Sequence, residues 1–311
     1  MSHPDTKQHL LAETKFGLDF LKKISDGKSE SLVFSPLSVS LALALVHSGA
    51  HGVSKIEIEK CLLGGVENEH FVEHFSNLAK DSVQINPNYL SLVSKNYDAG
   101  AESLDFLNPE SAVKINKFIS ETTRGKLDNL VSSDSISDAV ALLINAVYFK
   151  GKWQQEFDLD NTGPREFTME SGDVKEIPFL TEREVDRGYS SDEIFEVLTL
   201  NYKDANFKFA IFLPKVHNGL KEALKKLDFG RFQGLLESSK WAYMNIEIPK
   251  FSVEKELSLK ETLTTLGISE IFSDQADLSG IAENTKISDG THKALIEVNE
   301  EGTTAAAATV V

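Results

Sequence analysis

The stretch from Glu297 to Val311, Glu-Val-Asn-Glu-Glu-Gly-Thr-Thr followed by four alanines and Thr-Val-Val, constrains the fold more than any other part of the chain. Ahead of it, residues 292–298 alternate imperfectly and read as a strand. Glu300, Glu301 and Gly302 end that strand, because glycine takes backbone angles that other residues take only at a cost. Everything after Gly302 is small. Two readings follow. Alanine is the best helix former and termini are often loose, so the segment could be a frayed or disordered tail. Alternatively, Thr303, Thr304, Ala305, Ala306, Ala307, Ala308 and Thr309 could slide as an extended strand between two existing strands. Nothing bulky or charged would then need desolvation. In that reading Thr303, Ala305, Ala307 and Thr309 face inward, and Thr304, Ala306 and Ala308 face a more open side.

Such an insertion needs a large fold to receive it, and 311 residues can bury a core of that size. The apolar fraction of 41% is that of an ordinary globular protein. With 48 acidic residues against 32 basic ones, the net charge is −16. Nucleic acid is therefore excluded as a partner, and no basic cluster offers a polyanion site. No apolar run reaches the ~18 residues needed to span a membrane. Cys61 is the sole cysteine, so no intrachain disulfide forms. The N-terminus carries no apolar signal region, and no Asn-x-Ser/Thr sequence occurs. These features point to the cytosol or the nucleus, and weigh against a mature extracellular form.

In chain order, helices are expected over 10–21, from Ser35-Pro36 through 46, and over 56–63, 71–79, 87–97 and 109–123. Gly49 and Gly52 should end the second of these, and Val113, Phe118 and Ile119 should lie on one face of the last. Residues 31–34 read as a short strand. Residues 139–149 are too apolar for a half-exposed strand and read as a central one covered on both faces. Strand signals then crowd at 195–200, 207–213 and 244–248, with helices at 220–227 and at 257–266, the latter stopped by Gly267. Helices early and strands late make an α+β chain of a single domain, residues 1–311.

Several stretches together resemble one family. Phe34-Ser35-Pro36-Leu37-Ser38 is similar to a serpin helix start. Asn145-Ala146-Val147-Tyr148-Phe149-Lys150-Gly151-Lys152-Trp153 is similar to the serpin strand-and-turn signature. Ile115-Asn116 with Thr123-Arg124-Gly125-Lys126-Leu127, Phe209 to Pro214, and the Glu300-Glu301-Gly302-Thr303 start of the alanine run complete the pattern in family order. The resemblance implies helices packed on a large central mixed β-sheet with smaller sheets beside it. It implies a protease inhibitor whose cleaved reactive loop inserts into the main sheet, a device known for this family. The partner would be a serine or cysteine protease, and no cofactor or metal is implied.

The same resemblance implies roles for particular residues. Glu300 to Thr309 would be the reactive-loop hinge. Ser35, Ser38, Asn145 and His292 would form a polar shutter beneath the sheet, and Trp153 would stand at the breach where insertion begins. Each has a plainer explanation: Ser35 as a helix cap, His292 as a strand histidine facing water, Trp153 as core packing. Two departures stand out. After Val83 about one strand of family sequence is missing. The chain also stops at Val311, short of the family's scissile bond and of the strands beyond it. A cleaved molecule partnered by its own C-terminal fragment would have this form, and so would a truncated one. A non-inhibitory binding or chaperone serpin, or a truncated serpin without inhibitory activity, are the alternatives. No Gly-x-Ser-x-Gly, His-Glu-x-x-His, phosphate loop or paired-cysteine site supports an enzyme, and Cys61 reads as a small buried hydrophobe.

Overall fold

The computed structural model describes residues 4–28, 30–63, 104–106, 108–136, 144–283, 285–288 and 290–310, with only the backbone described for 4–10, 145–147 and 310. The helices expected over 71–79 and 87–97, and the strand suspected missing after Val83, lie outside these residues.

Three helices, α1 (Pro4–Ser25), α2 (Pro36–Gly49) and α3 (Gly52–Leu63), pack on one another around Phe20, Leu43, Ile58 and Leu62. Helix α2 starts as its sequence dictates. The Ser35 side chain accepts from the Ser38 amide, and Pro36 occupies a position where its missing N–H does no harm. Its apolar run is buried on every side. Gly52 does not end α2 but begins α3, at a φ of +54° that suits glycine. Residues 31–34 form no ladder among the described residues; Phe34 is instead stacked on Phe20, with ring centroids 5.0 Å apart. Side-chain packing there satisfies the apolar pattern without strand pairing.

Helix α4 (Pro109–Thr122) is capped by Asn108 and buries Ser111, Ala112, Ile115 and Ile119. Val113 and Phe118 lie outside that stripe and are 68% and 51% exposed, so the face expected from them is wrong by part of a turn. A short helix, α5 (Ser133–Ile136), follows.

Next come β1 (Ile144–Lys152), β2 (Gly163–Thr168), β3 (Val174–Ser191), β4 (Phe195–Asn201) and β5 (Lys208–Pro214). After α6 (Leu220–Lys225) and α7 (Phe229–Glu237), the chain continues as β6 (Lys240–Pro249), β7 (Phe251–Ser258), α8 (Leu259–Thr265), β8 (Thr291–Val298) and β9 (Gly302–Val310). One described sheet has the order β1-β9-β8-β7; in the other, β2-β3-β4-β5 are neighbours and β6 also pairs with β3. The chain is therefore α+β. Helix α2 covers one face of the β1-β9 region and α4 the other, as the apolar run at 139–149 predicted; residues 139–143 lie outside the described residues.

Candidate functional site

The C-terminal segment is a strand, β9, hydrogen-bonded along both edges. Residues 302–310 pair with 144–152 of β1 on one side, and 303–310 with 291–298 of β8 on the other. Both ladders are antiparallel, so β1 and β8 run parallel to each other with β9 between them. Alanine and threonine bury little apolar area. Each ladder bond contributes about 1 kcal/mol net, so the backbone rather than the side chains holds this strand.

Both faces of β9 are covered, which corrects the expectation of an open side. Thr303, Ala307 and Thr309 are buried on one face, while Ala306 and Ala308 pack beneath Ala112, Ile115 and Ile119 of α4 on the other. Only the upper part, Thr304 and Ala305, is half-exposed. Side chains no larger than alanine let α4 lie this close to the sheet.

At the lower end, Thr309 joins a polar chain. His292, fully buried, accepts the Ser35 N–H on Nε2 at 2.9 Å. The ring proton therefore sits on Nδ1 and is donated to Thr309 Oγ1 at 2.7 Å. The Thr309 and Ser38 hydroxyls are hydrogen-bonded to each other at 3.0 Å. Ser35, Ser38 and His292 thus meet at Thr309. Asn145 lies opposite Thr309 in the β1 ladder, and its side chain is outside the described residues. His292 does not face water, so the plain strand-histidine explanation fails.

Burial holds the His292 pKa down at about 4, against an ordinary 6.5. A second ring proton would also confront the Ser35 N–H with another donor. Stability from neutral His292 is complete above pH 6.5 and is lost as pH falls from 6.5 towards 4. At about 1.4 kcal/mol per pH unit this amounts to ~3 kcal/mol. Urea unfolding of the β9-paired protein between pH 7 and 4.5 should show that loss, and His292→Gln should flatten it.

At the upper end, the β8–β9 turn is fastened from three directions. Within it, the Asn299 N–H donates to the Gly302 carbonyl at 3.0 Å, and Asn299 Oδ1 accepts the amides of Glu301 and Gly302 at 3.0 and 3.2 Å. From the segment after β1, the Trp153 N–H donates to the Glu301 carbonyl at 2.9 Å and the Phe157 N–H to that of Glu300 at 3.0 Å. The Trp153 indole N–H reaches the Asn299 carbonyl at 2.8 Å while its ring stacks on Tyr202, centroids 4.9 Å apart. From the β6–β7 connection, Lys250 Nζ holds both oxygens of the buried Glu300 carboxylate at 2.9 and 3.0 Å. Glu301, by contrast, is exposed and meets Lys152 at 3.3 Å.

Gly302 is required for a different reason from the one its sequence suggests. Its φ is not in the left-handed region; instead, a Cβ there would run into the Gly151 carbonyl oxygen. Gly151 is needed in turn because a Cβ there would come within 2.6 Å of the Tyr202 ring.

The family profile described as Serpin (serine protease inhibitor) matches residues 11–82 and 77–311. This chain is a serpin. It is 32% identical to Iripin-2 of Ixodes ricinus over 96% of its own length and 82% of that protein's. With the leukocyte elastase inhibitor of Xenopus laevis it shares 32% identity, covering 95% of this chain and 87% of the relative. The solved structure of cleaved Serpin 42Da superimposes with a TM-score of 0.89 at 27% identity, covering 98% of this chain and 89% of that one.

Three participants in this serpin's site escaped sequence reasoning. Thr309 was read only as a small inserted residue, yet it links His292 to Ser38. Lys250 and Asn299 carried no signal beyond lying between strands. Cys61 packs against the helical core, and its burial beside Asp19 pushes the thiol up to about 12. It therefore stays protonated and is a poor nucleophile. Among the described residues no helix is long and apolar enough to cross a membrane, and no group of His, Cys, Asp and Glu side chains could hold a metal.

Proposed function

We propose that this serpin inhibits a serine or cysteine protease as a suicide substrate. The observation that carries the reading is β9 lying antiparallel between two strands that are parallel to each other. Without β9, β1 and β8 would close on one another as a parallel pair. With it, both edges become antiparallel ladders. The protease nucleophile attacks the loop that continues from β9 and forms an acyl-enzyme. Residues 303–310 then enter the sheet and carry the tethered protease away before water completes hydrolysis. The fold before cleavage is held by a kinetic barrier rather than by equilibrium stability. Glu300 to Thr309 act as the hinge, and His292 with Ser35, Ser38 and Asn145 forms the polar latch that Thr309 enters. Trp153 marks the point of entry. Names such as leukocyte elastase inhibitor among the relatives support a serine protease as target. A lone Cys61 fits a reducing compartment, so that protease would be met in the cytosol or nucleus.

The test is incubation of the full-length protein with a panel of serine and cysteine proteases, followed by denaturing electrophoresis. A covalent complex of protease and inhibitor is the expected product. Cleavage of the loop by every protease tried, without any complex, would favour the non-inhibitory alternative.

A further inference from the structure

Strand β3 is bent by a bulge between Glu182 and Val185, where Glu184 adopts a φ of +54° and its N–H donates to Asn245 Oδ1 at 2.8 Å. The bend lets Arg187, only 6% exposed, fold back on Glu182. Its Nη2 donates to both Glu182 carboxylate oxygens, at 2.6 and 2.5 Å. Its Nη1 donates to the Asp186 carbonyl at 2.9 Å and to Gln155 Oε1. Gln155 belongs to neither sheet. It lies in the 153–157 segment, in which the Trp153 and Phe157 N–H groups donate to the carbonyls of Glu301 and Glu300.

That segment is tied on two flanks. Towards the end of β4, the Gln154 N–H donates to the Asn201 carbonyl at 2.8 Å, and the exposed Glu156 carboxylate meets Lys203 at 2.7 Å. Towards β3, the tie from side chain to side chain is Gln155 with Arg187. Exposed ion pairs contribute little, whereas a buried guanidinium held by both oxygens of a carboxylate is fixed in place and presents its remaining N–H groups rigidly. We infer that Arg187 is a positioning residue, which clamps the 153–157 segment onto β3 and so shapes the seat that receives the 299–302 turn as β9 enters. Glu182 aims the guanidinium, and Gln155 transmits its position to the backbone of Trp153 and Phe157. The part this plays in insertion rests on the inhibitory reading; the clamp itself does not.

Hydrogen exchange at the Trp153 and Phe157 amides measures the clamp directly. Gln155→Ala keeps the Arg187–Glu182 pair intact and removes only the link. It should speed exchange at these two amides at least tenfold and leave Val197 and Leu198, in the β4–β5 ladder, within about twofold of wild type. Gln155→Glu keeps an acceptor for Arg187 and should restore protection. Arg187→Met should loosen the same two amides, with added global destabilisation because the half-buried Glu182 is left without its cation. Unchanged exchange in Gln155→Ala, or an equal rise across β4 and β5, would overturn the proposal. A protein that shows the local effect but forms no protease complex would retain the clamp and sink the inhibitory reading instead.

Discussion

Thr303→Arg is expected to convert the inhibitor into a substrate. Thr303 is 3% exposed, pairs with Gly151 and Val298, and lies on the β9 face that meets the aromatic cluster of Trp153 and Tyr202. An arginine there would be buried without a carboxylate. An uncompensated buried charge costs about 3–5 kcal/mol, enough to slow strand entry ~100-fold or more relative to deacylation. The protease should then release cleaved protein, and the fraction trapped as covalent complex should fall below one-hundredth of wild type. Thr304→Arg is the control. Thr304 is half-exposed and pairs with Lys150 and Glu297, so a guanidinium at that position can reach water. It should keep most of the trapping. Equal trapping by both variants would show that burial of the odd face is not what insertion requires.

Trp153→Ala should lower the stability of the β9-paired form by about 3–5 kcal/mol, the usual range for removing a buried large aromatic. Trp153 is 1% exposed, stacked on Tyr202 and set edge-on against Phe157 and Phe209. Its loss opens a cavity and also leaves the Asn299 carbonyl without its indole partner. Trp153→Phe preserves most of the packing and gives up that hydrogen bond, so it should cost about 1–2 kcal/mol. Guanidinium unfolding of the two variants separates the terms. If Trp153→Ala costs no more than Trp153→Phe, the aromatic stack is not what holds the turn.

The features that were legible in the sequence are those where chemistry and pattern agree. The alanine run on Gly302 reads as a strand because nothing in it resists burial between two ladders. Ser35-Pro36 starts α2 by simple capping, and the run ending at Phe149 reads as buried because it is apolar without interruption. The failures have physical causes. Strand β3 was missed because the charged run Glu182-Arg183-Glu184 and the bulge beside it break the alternation that betrays a strand. The two-sheet connection at Pro249-Lys250-Phe251 hid β7, whose exposed positions are serines and glutamates. Helix α7 was overlooked because its interior carries Gly230 and Gly234, although Asp228 caps it properly. Apolarity groups Val113 and Phe118 with Ile119 on one face, but the period of α4 buries Ile119 and turns the other two outward. The polar contacts at Thr309, Lys250 and Arg187 join residues far apart in the chain. No spacing rule reaches such pairs.

Hydrogen exchange at the amides of residues 303–309, in full-length protein before and after a protease cuts the loop, tests the central claim most directly. In the uncut protein these amides should exchange nearly as fast as in an open chain. After cleavage they should be protected at least ~1,000-fold, as expected for a strand bonded on both edges, and the amides of β1 and β8 that face β9 should change with them. Amides 303–309 that are equally protected, or equally exposed, before and after cleavage would contradict insertion as the working step of this serpin.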